Sequence, residues 1–253
     1  AVAELLFEIL SEEVPARMQA RAAADFARLA KEKLAAAGLT HGRVETFVTP
    51  RRLTLVVEDL PERQPDVTEE RKGPREGAPA KAIEGFLKAA GLASLEEAEL
   101  RETGKGRVYF AVRRIEGRAT RTILPEILVE TLRSLSWPKS MRWAENDFRW
   151  VRPLQNLLVI FGGEPLAGHL PLGEGKQLPF SDKTRGHRFL APESFGVSSF
   201  EDYRAKLKKN YVILDAEERR RSILEQCNAL AQEEGLAVGP DPGLIEEVTG
   251  LVE

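Results

Sequence analysis

The strongest chemical signal in the sequence is a run of cations interleaved with aromatics. Residues 133–152 carry Arg133, Lys139, Arg142, Arg149 and Arg152 against Glu145 and Asp147, and the chain's three tryptophans, Trp137, Trp143 and Trp150, lie among them. Guanidinium groups beside aromatic faces can grip phosphates and stack on unpaired bases, the chemistry of looped and single-stranded RNA recognition. The same spacing also suits a core, with arginines pairing carboxylates or laying their stems over buried rings. Composition leaves both readings open.

Smaller clusters repeat the theme. Arg51 and Arg52 are consecutive on an extended segment, so their side chains point to opposite faces and at most one meets a given partner. His187 stands in Thr184-Arg185-Gly186-His187-Arg188-Phe189. Flanking arginines disfavour its cationic form, which leaves a neutral hydrogen-bonding ring near pH 7. The plainer alternative is a turn residue that holds a backbone carbonyl. Lys206, Lys208 and Lys209 with Arg219, Arg220 and Arg221 read as a solvated helix face, partly neutralised by Glu217 and Glu218.

Signatures of a self-contained enzyme are missing. The sequence has no phosphate-binding glycine loop followed by Lys and Ser/Thr, no dinucleotide fingerprint after a strand and no HExxH helix. Cys227 is the single cysteine, which rules out an internal disulfide, and it falls on an apolar helix stripe as a small buried hydrophobe. One thiol and three scattered histidines do not make a four-ligand zinc site.

Bulk properties bound the possibilities. The 253 residues hold 37 Lys+Arg and 40 Asp+Glu, for a net charge of −3, with 42% hydrophobic and 30% charged residues. That is a soluble globular composition, long enough for a sizeable core and close to the length at which a core divides, so two packed lobes are expected. The net charge excludes a protein that coats nucleic acid through bulk positive field, while leaving room for a local basic face. No apolar run approaches the ~20 residues that span a bilayer, and the opening AVAELLFEIL lacks a basic n-region. The reading is a cytoplasmic chain with no membrane partner.

The elements that must position these side chains follow from periodicity. Residues 3–10 read as a strand and 11–38 as a helix, entered through Ser11, Glu12, Glu13 and Pro15 and stopped by Gly38. Residues 44–48 and 53–57 read as strands that either pair or continue past a Pro kink. The Pro/Gly-rich segment 61–79 reads as a surface connection, followed by a helix ended by Gly91. Strands are expected at 99–102 and 108–113, a helix at 119–135, a buried strand at 157–161, a helix at 200–209, a strand at 211–214, a long helix at 216–234 and a terminal helix from Asp241. This divides the chain into a strand-helix-strand unit (1–60), the connection (61–79), a central region with the basic and aromatic motifs (80–214) and a helical tail (215–253). Strands and helices mix without steady βαβ alternation, so the class is α+β.

Eight strings in order along the chain carry a family resemblance: AELLFEILSEEVPARM from Ala3, TPRRL from Thr49, KGP from Lys72, AKAIEGF from Ala80, PKSMRW from Pro138, FRWVRPL from Phe148, RGHRFL from Arg185 and EEVTGLVE from Glu246. The sequence resembles the bacterial glycyl-tRNA synthetase β subunit. It departs from the family pattern at Leu10, in a shortened stretch between Gly73 and Ala80, and at Gln155 and Asn156, which removes a stacking side chain at the last position.

The resemblance implies an N-terminal part of a longer β subunit, in a heterotetramer of two α and two β chains. The α subunit would carry the class II site with ATP and Mg, and this chain would hold no cofactor and perform no catalysis. The β subunit would contribute to recognition of tRNA(Gly). On that basis the candidate tRNA-facing residues, contacting phosphate or fixing the loops that do, are Arg51, Arg52, Lys139, Arg142, Trp143, Arg152, Arg185, His187 and Arg188. The competing expectation is a purely structural module that holds neighbouring domains or the α subunit, with tRNA bound by downstream domains.

Overall fold

A computed structural model of the chain describes residues 1–135, 154–235, 249 and 252–253. Its strands are β1 (Val2–Ser11), β2 (Val44–Val48), β3 (Arg52–Pro61), β4 (Val67–Arg75), β5 (Glu99–Thr103), β6 (Gly106–Ile115), β7 (Leu154–Phe161), β8 (Glu164–Pro165), β9 (His169–Gly173), β10 (Lys176–Ser181), β11 (Lys183–Arg185) and β12 (Ser194–Gly196). The helices are α1 (Ala16–Ala36), α2 (Ala80–Ala90), α3 (Thr120–Ser134), α4 (Phe200–Lys209) and α5 (Ala216–Glu233). The mixture is α+β, as the patterning indicates. The chain divides into two compact units, Ala1–Glu62 with Ala119–Glu253, and Arg63–Arg118.

The larger unit is built on a sheet with strand order β2-β3-β1-β7-β10-β9 and β8 paired to β7. Strand β1 lies at its centre, antiparallel to both β3 and β7. Leu5, Phe7 and Ile9 point to one face, where Phe26 and Leu34 of α1 and Leu124 and Leu128 of α3 cover them. Phe7 meets Phe26 edge-to-face at 5.7 Å. Leu6 points the other way, with Val56, Leu158 and Ile160, under Tyr203 and Leu207 of α4 and under Val212 and Leu214. Antiparallel sheets often leave one face to water, and their strands then alternate. Here both faces are covered, which is why LLFEIL is apolar almost without interruption.

The smaller unit is a three-stranded antiparallel sheet of order β4-β6-β5 with α2 against β4. Phe86 of α2 packs so closely on Gly73 that a Cβ there would fall 2.7 Å from the ring. Gly91 ends α2 in the left-handed conformation, φ 69°.

Several expectations need correction. The supposed connection 61–79 contains β4, whose residues are mostly exposed and charged, so no apolar period betrays it; Pro74 sits where the register with β6 shifts. The chain therefore divides around 63–118 and not at the boundaries expected from composition, because β7 returns to pair with β1. Helix α1 starts at Ala16, after Pro15. Residues 211–214 form no strand: Val212 and Leu214 are buried by packing, while Tyr211 takes φ 66°. Along α5 only Arg219 and Ala231 are buried, Cys227 is half-buried and Leu230 is exposed, so the apolar stripe is not a core face. Strands β8 to β12 were not anticipated, being short or rich in Gly, Pro and Lys. The expected terminal helix from Asp241 begins outside the described residues.

Candidate functional site

The face of the sheet under α4 changes character along its strands. Register sets Leu6 opposite Val56 and Ile160, Glu8 opposite Thr54 and Leu158, and Leu10 opposite Arg52 and Asn156. The apolar end is ordinary core. At the other end an arginine and a carboxylate are driven into the interior, where each must find partners or destabilise the fold.

Arg52, only 1% exposed, uses its whole fork. Its Nε donates to Glu253 Oε1 at 3.1 Å, Nη1 to Glu8 Oε2 at 3.2 Å and Thr184 Oγ1 at 3.4 Å, and Nη2 to the Gly186 carbonyl at 3.1 Å and Glu253 Oε2 at 3.4 Å. Glu8 also accepts from the hydroxyls of Thr184 and Tyr203, and the Tyr203 and Thr54 hydroxyls lie 2.8 Å apart. Thr49 donates to Glu253 at 3.0 Å and accepts the Arg52 N–H. Burial works against the Arg52 charge, but Glu8 and Glu253 outweigh it and raise the guanidinium above its ordinary pKa. Burial, then the neighbouring Glu8 charge, pushes the Tyr203 phenol well above its ordinary value. Arg219 lies in the same field: it donates to the carbonyls of Ile213, Leu214 and Val48, and burial lowers its pKa while Glu253 opposes the change.

The network pins the turn between β11 and β12. Thr184 and Gly186 are its buried anchors, and the His187 N–H donates to the Asn210 carbonyl at 2.9 Å. His187 Nδ1 accepts the N–H groups of Phe189 and Leu190, each at 3.2 Å, so the ring proton belongs on Nε2. The histidine thus holds backbone N–H groups, not a carbonyl. On the outside of this turn stand Arg185, Arg188, Phe189 (73% exposed) and Leu190 (64% exposed). The Arg188 guanidinium lies 4.4 Å from the Phe189 ring centroid and 3.5 Å from Glu13.

Arg51 points away from the network. Its Nη2 donates to Gln155 Oε1 at 2.8 Å, and Gln155 donates to Glu12 at 2.7 Å. Partial burial lowers its pKa, and among the described residues its buried Nε has no partner. Gln155 also lines a polar cleft of about 310 Å³ with Asn156, Lys183, Arg185 and Ser194.

The structure therefore brings Arg51, Arg52, Arg185, His187 and Arg188 to one region. It also corrects the expectation for Arg52: beneath α4 and saturated by two carboxylates, its guanidinium offers nothing to a surface ligand, and it can act only by fixing the turn. Lys139, Arg142, Trp143 and Arg152 lie outside the described residues. Glu8, Thr184, Tyr203 and Glu253 were not singled out from sequence. The available signal was Glu8 itself, a carboxylate inside an apolar strand, which demands a buried cationic partner. Among the described residues no three His, Cys, Asp or Glu side chains gather as a metal site would require.

Comparison with known proteins agrees with the shared strings. The family model described as glycyl-tRNA synthetase beta subunit matches residues 5–253. A glycine–tRNA ligase beta subunit from Rhodospirillum centenum is 50% identical over all of this chain, and one from Ruegeria sp. (strain TM1040) is 48% identical over the same extent. A third, from Paracoccus denitrificans, is 47% identical over 99% of the chain. The chain spans 38%, 36% and 36% of these relatives' lengths. With a match over nearly its full extent, the chain belongs to the glycyl-tRNA synthetase β subunit family.

Proposed function

We propose that this chain is the non-catalytic N-terminal part of a cytoplasmic glycine–tRNA ligase β subunit, which docks tRNA(Gly) and contributes to assembly with the α subunit. Glycine activation with ATP and Mg would take place in a class II site on α, within an α2β2 enzyme. The observation that carries the reading is the β11–β12 turn, which a buried ion-pair network holds while Arg185, Arg188 and Phe189 project to solvent. A rigid cationic and aromatic projection suits a docking role, because positioning the acceptor end is worth a large share of the barrier when chemistry occurs on another chain.

The test is tRNA affinity of the assembled αβ enzyme across salt concentrations. Replacing Arg185 and Arg188 by Ala should weaken binding and make the log–log salt slope shallower by roughly 0.7–0.9 for each phosphate no longer neutralised. Unchanged affinity at physiological salt would refute the assignment.

A second reading, an interaction scaffold with tRNA held by other domains, draws support from the way Arg51 and Arg52 spend their guanidiniums on Gln155, Glu8 and Glu253. Under it, alanine at these arginines lowers Tm and leaves the salt dependence of RNA binding untouched.

A further inference from the structure

Lys183 and Arg185 are two exposed cations on one short strand. They flank the buried Thr184 on β11, both are exposed, and among the described residues neither side chain has an ion-pair or hydrogen-bond partner. Both border the 310 Å³ cleft whose other polar walls are Gln155, Asn156 and Ser194. Asn156 is fixed there by donating to the Lys183 carbonyl at 2.6 Å, and Gln155 by its bonds to Arg51 and Glu12. Nearby carboxylates are partly committed: Gln155 donates to Glu12 and Arg188 faces Glu13, leaving Asp182 and Glu193 exposed along the same hairpin.

The hairpin that supplies Arg185 and Ser194 as a cross-strand pair carries Phe189 in its connecting turn. The Arg188 guanidinium lies against the Phe189 ring, and the ring is nonetheless 73% exposed. Two backbone N–H bonds to His187 hold this part of the turn in shape.

We propose that the cleft and the turn together form a binding site for single-stranded RNA, in which Lys183 and Arg185 take a backbone phosphate and Phe189 stacks on an unpaired base. The proposal rests on the tRNA-docking reading and adds the form of RNA recognised. Unpartnered cations beside fixed amides suit a phosphodiester, and an exposed aromatic held on a rigid backing suits a base, since stacking needs an open π face and tolerates any sequence. A protein partner would instead favour an apolar pocket from which water is excluded. Here six of the seven lining residues carry polar or charged side chains, Leu10 being the seventh.

The experiment uses this chain and measures fluorescence anisotropy with tRNA(Gly), a mixed-sequence ten-nucleotide single-stranded RNA and a blunt duplex of equal length. The single strand should bind more tightly than the duplex. Phe189→Ala should weaken single-strand binding by about 5- to 100-fold, the range of one base–aromatic stack, and Phe189→Trp should restore it. Lys183→Ala with Arg185→Ala should reduce the single-strand salt slope by about 0.7 for each phosphate left without its cation. Binding of tRNA that ignores all these substitutions would overturn the site while leaving the docking reading intact. Equal weakening on the duplex would overturn the single-strand assignment. A change in assembly with the α subunit, with RNA affinity unchanged, would assign the turn to a protein partner. Failure of every RNA to bind would refute the docking reading as well.

Discussion

Arg52 and Glu253, 201 residues apart in the chain, meet through two side-by-side contacts, Nε to Oε1 at 3.1 Å and Nη2 to Oε2 at 3.4 Å. Fork-to-fork pairing of this kind fixes orientation as well as charge. The Glu253 carbonyl also accepts the Ile213 N–H, which ties the same residue to the segment between α4 and α5. Through Arg52 the pairing extends to Glu8 in the central strand and to the Gly186 carbonyl in the turn. One guanidinium thus joins β1, β3, the β11–β12 turn and Glu253.

Removing that guanidinium should be costly. Arg52→Met leaves Glu8 and Glu253 buried without their cation, and taking away one partner of a buried pair typically costs about 3–5 kcal/mol. Arg52→Lys keeps the charge but cannot place five donors in a plane, so it should recover only part of the stability. Urea denaturation of the three proteins checks this, and equal midpoints would mean that the network contributes nothing to the fold.

How much of this was legible beforehand depended on whether a residue's partner was near in sequence or pattern. Strands β5 and β6 bury no single face and were marked by the Gly104-Lys105-Gly106 turn between them, whereas the 3.6-residue period marked α1, α3 and α4, because burial on one face leaves that trace. The edge strand β4 left none, since Thr68, Glu69, Glu70, Arg71 and Lys72 face solvent. Arg51, at a bend, and Arg52, on β3, send their guanidiniums to different partners, Gln155 against Glu8 and Glu253, and which one turns inward is decided by residues such as Thr184, Gly186 and Glu253, more than a hundred positions away. The charge of Glu8 was visible. Its partners Arg52, Thr184 and Tyr203 were not, because tertiary packing alone brings them together.

The phenol of Tyr203 gives the fold an alkaline limit. Burial raises its folded-state pKa well above the ordinary value of 10.0, so the native state keeps a proton that the unfolded chain releases. Its contribution to stability is complete below pH 10 and declines as pH rises from there toward the folded pKa. Tyr203→Phe should remove this part of the alkaline decline. At neutral pH the same change deprives Glu8 of a donor and should cost about 1–3 kcal/mol. Urea midpoints at about pH 7 and above about pH 10 test both halves, and an identical alkaline slope in the variant would contradict the assignment.

Gly186 should tolerate no side chain, for reasons of space. A Cβ at this position would lie 2.5 Å from Asn210 Cβ and 2.8 Å from the carbonyl oxygens of Ala191 and Asn210. Two of the three are backbone atoms, so relief must come from moving the turn. That movement would strain the Arg52 bond to the Gly186 carbonyl and the His187 bond to Asn210. Overpacking of this kind typically costs about 1–3 kcal/mol, which should appear as a lower Tm for Gly186→Ala. Gly196 in the paired strand β12 has open space around its Cβ position, and Gly196→Ala should leave Tm nearly unchanged. If the turn presents the RNA-binding groups, Gly186→Ala should also weaken single-strand binding at temperatures where the protein remains folded, whereas Gly196→Ala should not. Equal RNA affinity in the two variants would mean that the backbone position of the turn is irrelevant to docking.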